Sequence, residues 1–99
     1  MKKLDGQIVV ITGGARGIGE GICKIFCNEG AIVFIWDVLE GGQKTADKIK
    51  ADGGNICFQK VDVTSQQSVD NAVEEIIKIH EKIDVLINNA GVIRDRSIL

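Results

Sequence analysis

Ile8-Val9-Val10-Ile11-Thr12-Gly13-Gly14-Ala15-Arg16-Gly17-Ile18-Gly19 carries an unbroken apolar run into a glycine-rich turn and out into a helical pattern. A continuous apolar run from Gln7 to Ile11 is the mark of a strand buried on both faces of a parallel sheet. The glycines at 13, 17 and 19 answer three needs: a sharp strand-to-helix turn, close approach of main chain to a diphosphate, and tight packing of helix on sheet. The helix that follows directs its first free N–H groups and the positive end of its dipole toward an anion. Its Gly-x-x-x-Gly-x-Gly spacing differs from the commoner Gly-x-Gly-x-x-Gly. In a chain with 12 glycines the surrounding features must therefore decide between a phosphate cradle and a plain reversal of the chain.

Reading outward, Ile18, Ile22, Ile25 and Phe26 recur at helical spacing between Gly17 and Glu29 and predict an inward stripe, with Gly30 as a left-handed cap. Ala31 to Trp36 is a second buried strand that ends at Asp37. A helix over about 41–52 follows, with Ala46 and Ile49 inward and Gly53-Gly54 stopping it. Ile56 to Val61, more mixed in polarity, predicts an edge strand ending at Asp62. Thr64-Ser65-Gln66-Gln67 fits a capping box in which the Thr64 hydroxyl reaches the third helical N–H and Gln67 reaches back. Val69, Ala72, Val73, Ile76 and His80 form the apolar stripe of a third helix, in which His80 reads as a packed ring. Asp84 to Asn88 is the fourth strand, followed by Asn89-Ala90-Gly91.

Strand and helix alternate throughout, which calls for a parallel sheet with helices on both faces. Right-handed crossovers and a reversal of direction after the third strand give the order 3-2-1-4. The glycine loop and the Asn89 loop then lie side by side at the switch point, where such sheets bind ligands.

The 99 residues, 44% hydrophobic and 26% charged, suffice for one modest core and one domain, 1–99. A net charge of −2 without blocks of like charge disfavours nucleic acid and membrane surfaces as partners. No apolar run approaches the ~18 residues a membrane span needs, and a cytoplasmic location is expected. Cys23, Cys27 and Cys57 lack metal-site spacing; Cys23 and Cys27, four apart on one helix, read as small hydrophobes, and no metal site is expected.

Four motifs fall at the carboxyl ends of the four strands. Asp37, 18 residues after Gly19, stands near the ~20-residue interval expected of an acid that accepts from an adenosine ribose; the bland alternative is a solvated strand-end carboxylate. A 2′-phosphate about 4 Å from it would be repelled by up to about 4 kcal/mol per charge at an effective dielectric near 20, so Asp37 favours NAD over NADP. Arg16 argues the other way, since its guanidinium could pair with that phosphate. Asp62 with the Val63 N–H matches the donor and acceptor edge of adenine, or Asp62 helps to cap the third helix. Asn88-Asn89-Ala90-Gly91 offers amide groups where a nucleotide would pass, and Gly91 removes a Cβ that would crowd a ribose; the bland alternative is a plain loop.

Thr12-Gly-Gly-Ala-Arg-Gly-Ile-Gly19, Asp62-Val63-Thr64 and Asn88-Asn-Ala-Gly91, in this order, resemble the short-chain dehydrogenase/reductase family over almost the whole chain, as its N-terminal part. The resemblance implies a Rossmann-type doubly wound sheet, truncated before the later strands. It also implies an oxidoreductase that moves hydride between a nicotinamide cofactor and a carbonyl or alcohol. By it Gly13, Arg16, Gly17, Ile18 and Gly19 line the diphosphate and ribose, Asp37 holds the adenosine ribose, Asp62 and Val63 hold adenine, and Asn89, Ala90 and Gly91 lie along the cofactor. Ala90-Gly-Val-Ile-Arg-Asp95 is similar to the 3-oxoacyl-acyl-carrier-protein reductase branch of fatty acid metabolism. That branch commonly uses NADP and lacks an acid at the position of Asp37.

Catalysis in the family rests on a Tyr-x-x-x-Lys pair with an upstream Ser, and this chain contains no Tyr. Ser65, Ser68 and Ser97 have no base beside them and cannot take the role of proton donor. The 99 residues alone are therefore expected to bind cofactor without turnover. The strand at 84–88 is expected to present an open edge through which the fragment self-associates, the parent being a homo-oligomer. Two further readings stand beside this one: a catalytically silent dinucleotide-binding or dimerising half-domain, and a doubly wound domain whose glycines are purely structural.

Overall fold

The structure, a computed structural model, describes residues 2–15 and 17–89. Chain order is β1 (Ile8–Thr12), α1 (Gly17–Asn28), β2 (Ile32–Asp37), α2 (Gly41–Ala51), β3 (Asn55–Lys60), α3 (Gln66–His80) and β4 (Val85–Asn88). The four strands form one parallel sheet in the order β3-β2-β1-β4, so the doubly wound architecture expected from the alternation is present. Register brings Thr12 opposite both Trp36 and Asn88, and Asp37 opposite Lys60. All four carboxyl ends therefore finish at one level.

Alternation along each strand sorts the core into two layers. Val9, Ile11, Val33, Ile35 and Ile56 pack with Cys23 and Cys27 of α1 and with Ala46 and Ile49 of α2. Ile8, Val10, Phe34 and Trp36 pack on the other face with Val69, Ala72 and Ile76 of α3. Each fully buried Val or Ile contributes roughly 1.5–3 kcal/mol, so both layers are needed to hold a sheet this small. Within the second layer Trp36 Nε1 donates to Gln59 Oε1 at 2.7 Å, and Phe34 meets His80 edge to face at 5.6 Å, which gives His80 the packed role expected of it.

The inward face of α1 differs from the expected stripe. Ile18 and Ile25 are 77% and 62% exposed, Ile22 and Phe26 are half-buried, and the face against the sheet is Gly19-Cys23-Cys27. Small residues let α1 lie close to β1 and β2, where isoleucines would hold it off. The helix ends in a Schellman turn: Gly30, at φ +91°, donates to Cys27 O and Ala31 donates to Phe26 O. The start of α3 also differs by one residue. Ser65, not Thr64, is its N-cap, accepting from Ser68 N at 3.2 Å, because the Thr64 hydroxyl is engaged by Asp62 Oδ1 at 2.6 Å.

Candidate nucleotide-binding site

β1 ends at Thr12, and the chain turns at once through Gly13, whose φ of +68° lies in the left-handed region. Gly17 opens α1 at φ +62°, and a Cβ there would meet nothing within 4 Å. Gly19 is required for a different reason. A Cβ on it would lie 2.1 Å from Gly13 O and 2.8 Å from Asn89 Nδ2, so the first turn of α1 can rest on the loop only without one. Gly14 is buried, and its added Cβ would press on Cys23 Sγ at 3.0 Å and Ile35 Cγ2 at 3.1 Å.

The loop is held from three sides. Gly13 N donates to Trp36 O at 2.8 Å, and Ala15 N donates to Asp37 Oδ2 at 3.3 Å. From α2, the Thr45 hydroxyl donates to Ala15 O. From the β4 side, Asn89 N donates to Thr12 Oγ1 at 2.8 Å and Asn89 Nδ2 donates to Gly13 O at 3.3 Å. Thr12 Oγ1 also lies 3.1 Å from Asn88 Oδ1.

Asp37 ends β2 half-buried, with Oδ1 accepting from Leu39 N at 3.1 Å. Its carbonyl accepts from Val61 N at 3.0 Å, which brings the end of β3, and Asp62 after it, alongside. Asp62 is exposed and folds back in an Asx turn, Oδ1 accepting from Thr64 N at 2.9 Å and from the Thr64 hydroxyl. Those two bonds, the hydroxyl first, hold its carboxyl below the usual aspartate range. Asp62 thus shapes the turn ahead of α3 and leaves the cap itself to Ser65. Val63 is half-buried beside it.

Of the residues picked out in the sequence, Gly13, Gly17, Ile18, Gly19, Asp37, Asp62, Val63 and Asn89 all lie at the carboxyl edge of the sheet or on the first turn of α1. Arg16, Ala90 and Gly91 lie outside the described residues. Ala15 and Thr45 were not singled out: both are buried, and the contact that joins them is made only when α2 docks. No group of three or more His, Cys, Asp or Glu among the described residues could hold a metal, and no described helix is long and apolar enough to cross a membrane.

A glycine turn between the first strand and first helix of a doubly wound sheet, with a carboxylate closing the second strand, defines the nucleotide-binding half of a dehydrogenase-type domain. The chain belongs to the short chain dehydrogenase family, whose profile matches residues 7–99. It is 42% identical over 97 residues to the 3-oxoacyl-acyl-carrier-protein reductase FabG of Chlamydia pneumoniae, spanning 97% of this chain and 39% of that protein. It is 45% identical over 92 residues to short-chain dehydrogenase reductase 5 of Arabidopsis thaliana, spanning 92% of this chain and 35% of that one. Among solved structures, a hydroxysteroid dehydrogenase from Escherichia coli superposes with a TM-score of 0.85 at 34% identity over 91% of this chain and 39% of its own. A metagenomic short-chain oxidoreductase in complex with NADP superposes at 0.84, with 32% identity over 90% of this chain and 41% of its own. The chain therefore spans about two fifths of the length of these relatives.

Proposed function

We propose that residues 1–99 are the dinucleotide-binding part of an oxidoreductase that moves hydride between a nicotinamide cofactor and a carbonyl or alcohol substrate. The observation that carries this reading is the convergence of the Gly13–Gly19 loop, Asp37, Asp62 and Asn89 on one edge of the sheet. The residues present fit such a cofactor. The open space at the Gly17 Cβ position would let a diphosphate come close to the main chain, and the opening turn of α1 would offer N–H groups to it. Gly13, Arg16, Gly17, Ile18 and Gly19 would hold the diphosphate, Asp37 the adenosine ribose, Asp62 and Val63 the adenine, and Asn89, Ala90 and Gly91 the path toward the nicotinamide. The bound cofactor supplies the hydride.

NAD is the cofactor favoured by Asp37, whose carboxylate would repel a 2′-phosphate. The NADP held by the metagenomic neighbour supports the second reading, in which Arg16 is the phosphate's counter-ion. Similarity to the FabG proteins of two Chlamydia species supports a 3-oxoacyl thioester as substrate. The same reading makes the parent enzyme a cytoplasmic homo-oligomer, and the outer edge of β4, open in these 99 residues, a surface through which they would self-associate. Because no Tyr is present, these 99 residues bind without catalysing reduction; a silent dinucleotide-binding half-domain is the alternative with the same site.

Titration with NAD, NADP and ADP-ribose, read by heat and by melting temperature, tests the proposal. Binding of ADP-ribose and NAD with similar affinity is expected, since the chain contacts chiefly the adenosine half. Asp37→Ser should raise NADP affinity relative to NAD. Absence of any response to all three ligands refutes the cofactor reading, and an unchanged ratio in the variant refutes the preference for NAD.

A further inference from the structure

Ala15 is held at both ends of its own residue by side chains from two other elements. Its N–H donates to Asp37 Oδ2 at the end of β2, and its carbonyl accepts from the hydroxyl of Thr45, one turn into α2. Thr45 and Ala15 are each 5% exposed. A threonine inside a helix commonly turns its hydroxyl back to the carbonyl four residues earlier; here it leaves its own helix and reaches the glycine loop. α2 has little freedom to move away from that contact. A Cβ at Gly42 would fall 2.3 Å from the Phe58 ring, so the helix start is pressed onto β3, and Ala46 and Ile49 sit in the core beside it.

We propose that Thr45 is a positioning residue for the adenosine end of the cofactor, setting the glycine loop and, through Ala15, the carboxylate of Asp37. The proposal rests on the cofactor reading above. Asp37 Oδ2 takes its bond from Ala15 N, and Oδ1 takes its bond from Leu39 N. Removing the Thr45 hydroxyl leaves the buried Ala15 carbonyl without its donor, and the peptide must shift toward another partner. Ala15 N then leaves Asp37, and one carboxylate oxygen loses the donor that fixes it. A carboxylate free to swing grips a ribose less well and repels a 2′-phosphate less, so both affinity for NAD and discrimination against NADP fall together.

The test compares Thr45→Val, which keeps shape and branching, with Thr45→Ser, which keeps the hydroxyl, in the intact protein. Two readouts are taken: hydrogen exchange at the Ala15 amide without ligand, and the dissociation constants of NAD and NADP. Thr45→Val should exchange Ala15 faster and lose about tenfold in NAD affinity, the scale of one neutral hydrogen bond, with a smaller loss for NADP. Thr45→Ser should restore exchange and affinity to within about twofold of wild type, a fraction of one such bond. Unchanged exchange in Thr45→Val overturns the proposal whatever the wild type binds. Faster exchange with an unchanged NAD to NADP ratio also overturns it. A wild-type protein that binds neither dinucleotide overturns the cofactor reading and this proposal with it, a result seen before any variant is made.

Discussion

The main-chain amide of Asn89 donates to the hydroxyl of Thr12 at 2.8 Å, joining the end of β4 to the end of β1 across 77 positions of sequence. The Asn89 side chain continues the link by donating to Gly13 O at 3.3 Å. The two carboxyl ends that frame the switch point are thus held by one threonine and one asparagine, and the loop between β1 and α1 inherits its height from them.

Thr12→Val keeps the volume of this fully buried side chain and deletes the acceptor of the Asn89 amide. Destabilisation of about 0.5–1.5 kcal/mol is expected, the net worth of one hydrogen bond whose donor, on half-buried Asn89, water can partly satisfy. Thr12→Ser should recover most of it. Urea midpoints of the three proteins measure the difference, and equal midpoints for wild type and Thr12→Val would show the link to carry no energy.

Gly17 and Gly19 differ in what they need. Gly17→Ala meets no protein atom and costs stability only through the left-handed backbone, roughly 1–2 kcal/mol, although its Cβ would occupy the space proposed for the diphosphate. Gly19→Ala drives a Cβ into Gly13 O, a backbone atom, and is expected to cost about 3 kcal/mol, the upper end for overpacking, and to abolish dinucleotide binding. Melting curves of both variants and ligand titration of Gly19→Ala decide it; a Gly19→Ala protein as stable as Gly17→Ala, or one that binds like wild type, would contradict the packing described.

Asp84 Oδ2 accepts from Ile8 N at 2.8 Å and from Lys82 Nζ at 3.1 Å, and these bonds, the amide first, hold its carboxyl below the ordinary range. Because the folded carboxyl binds its proton less readily than the unfolded one, its stabilisation is complete above the unfolded value of about 3.9 and disappears as pH falls below it toward the folded value. Asp84→Asn should therefore flatten the loss of stability on acidification below pH ~4, measured as the urea midpoint against pH. Parallel curves for the two proteins would rule Asp84 out as an acid-sensitive tie.

Burial, with the neighbouring Cys27 and Glu20 adding to it, pushes the Cys23 thiol up to about 12, and burial also raises Cys27. Cys57 is exposed on β3. A thiol reagent at pH ~8 should modify Cys57 in the folded chain and reach Cys23 and Cys27 only on unfolding, because the thiolate is the reactive form. Mass spectrometry of partially labelled protein locates the modified residue; early labelling of Cys23 would contradict its place against Gly14 and Ile35.

β1 and β2 were legible because buried strands leave continuous apolar runs, and the mixed polarity of β3 marked it as an edge. The short, half-buried β4 was found from its apolar run, and each strand ends on a polar residue at the same edge of the sheet. The inward face of α1 was not legible in the same way. Ile18, Ile22, Ile25 and Phe26 share the spacing of Gly19, Cys23 and Cys27, and periodicity favours the bulkier set, whereas close helix-on-sheet packing selects the smaller. The cap of α3 was misplaced by one residue because Thr64 and Ser65 are chemically equivalent caps until Asp62 engages one of them. Gly13, Gly19, Asp37 and Asn89 could be grouped from motif and topology. Thr45 could not, since nothing local distinguishes a threonine that reaches across to Ala15 from one that faces its own helix.

Neighbouring residues of β1 serve opposite layers, Ile8 and Val10 facing α3 while Val9 and Ile11 face α1 and α2. Deleting any one of them would exchange the two sets along the remainder of the strand and carry Thr12 out of reach of Asn89. This strand therefore has no tolerance for length change, and natural insertions or deletions in such chains must fall in the connections, for instance near the exposed Gly53 turn, where a gained residue leaves the ladder in step.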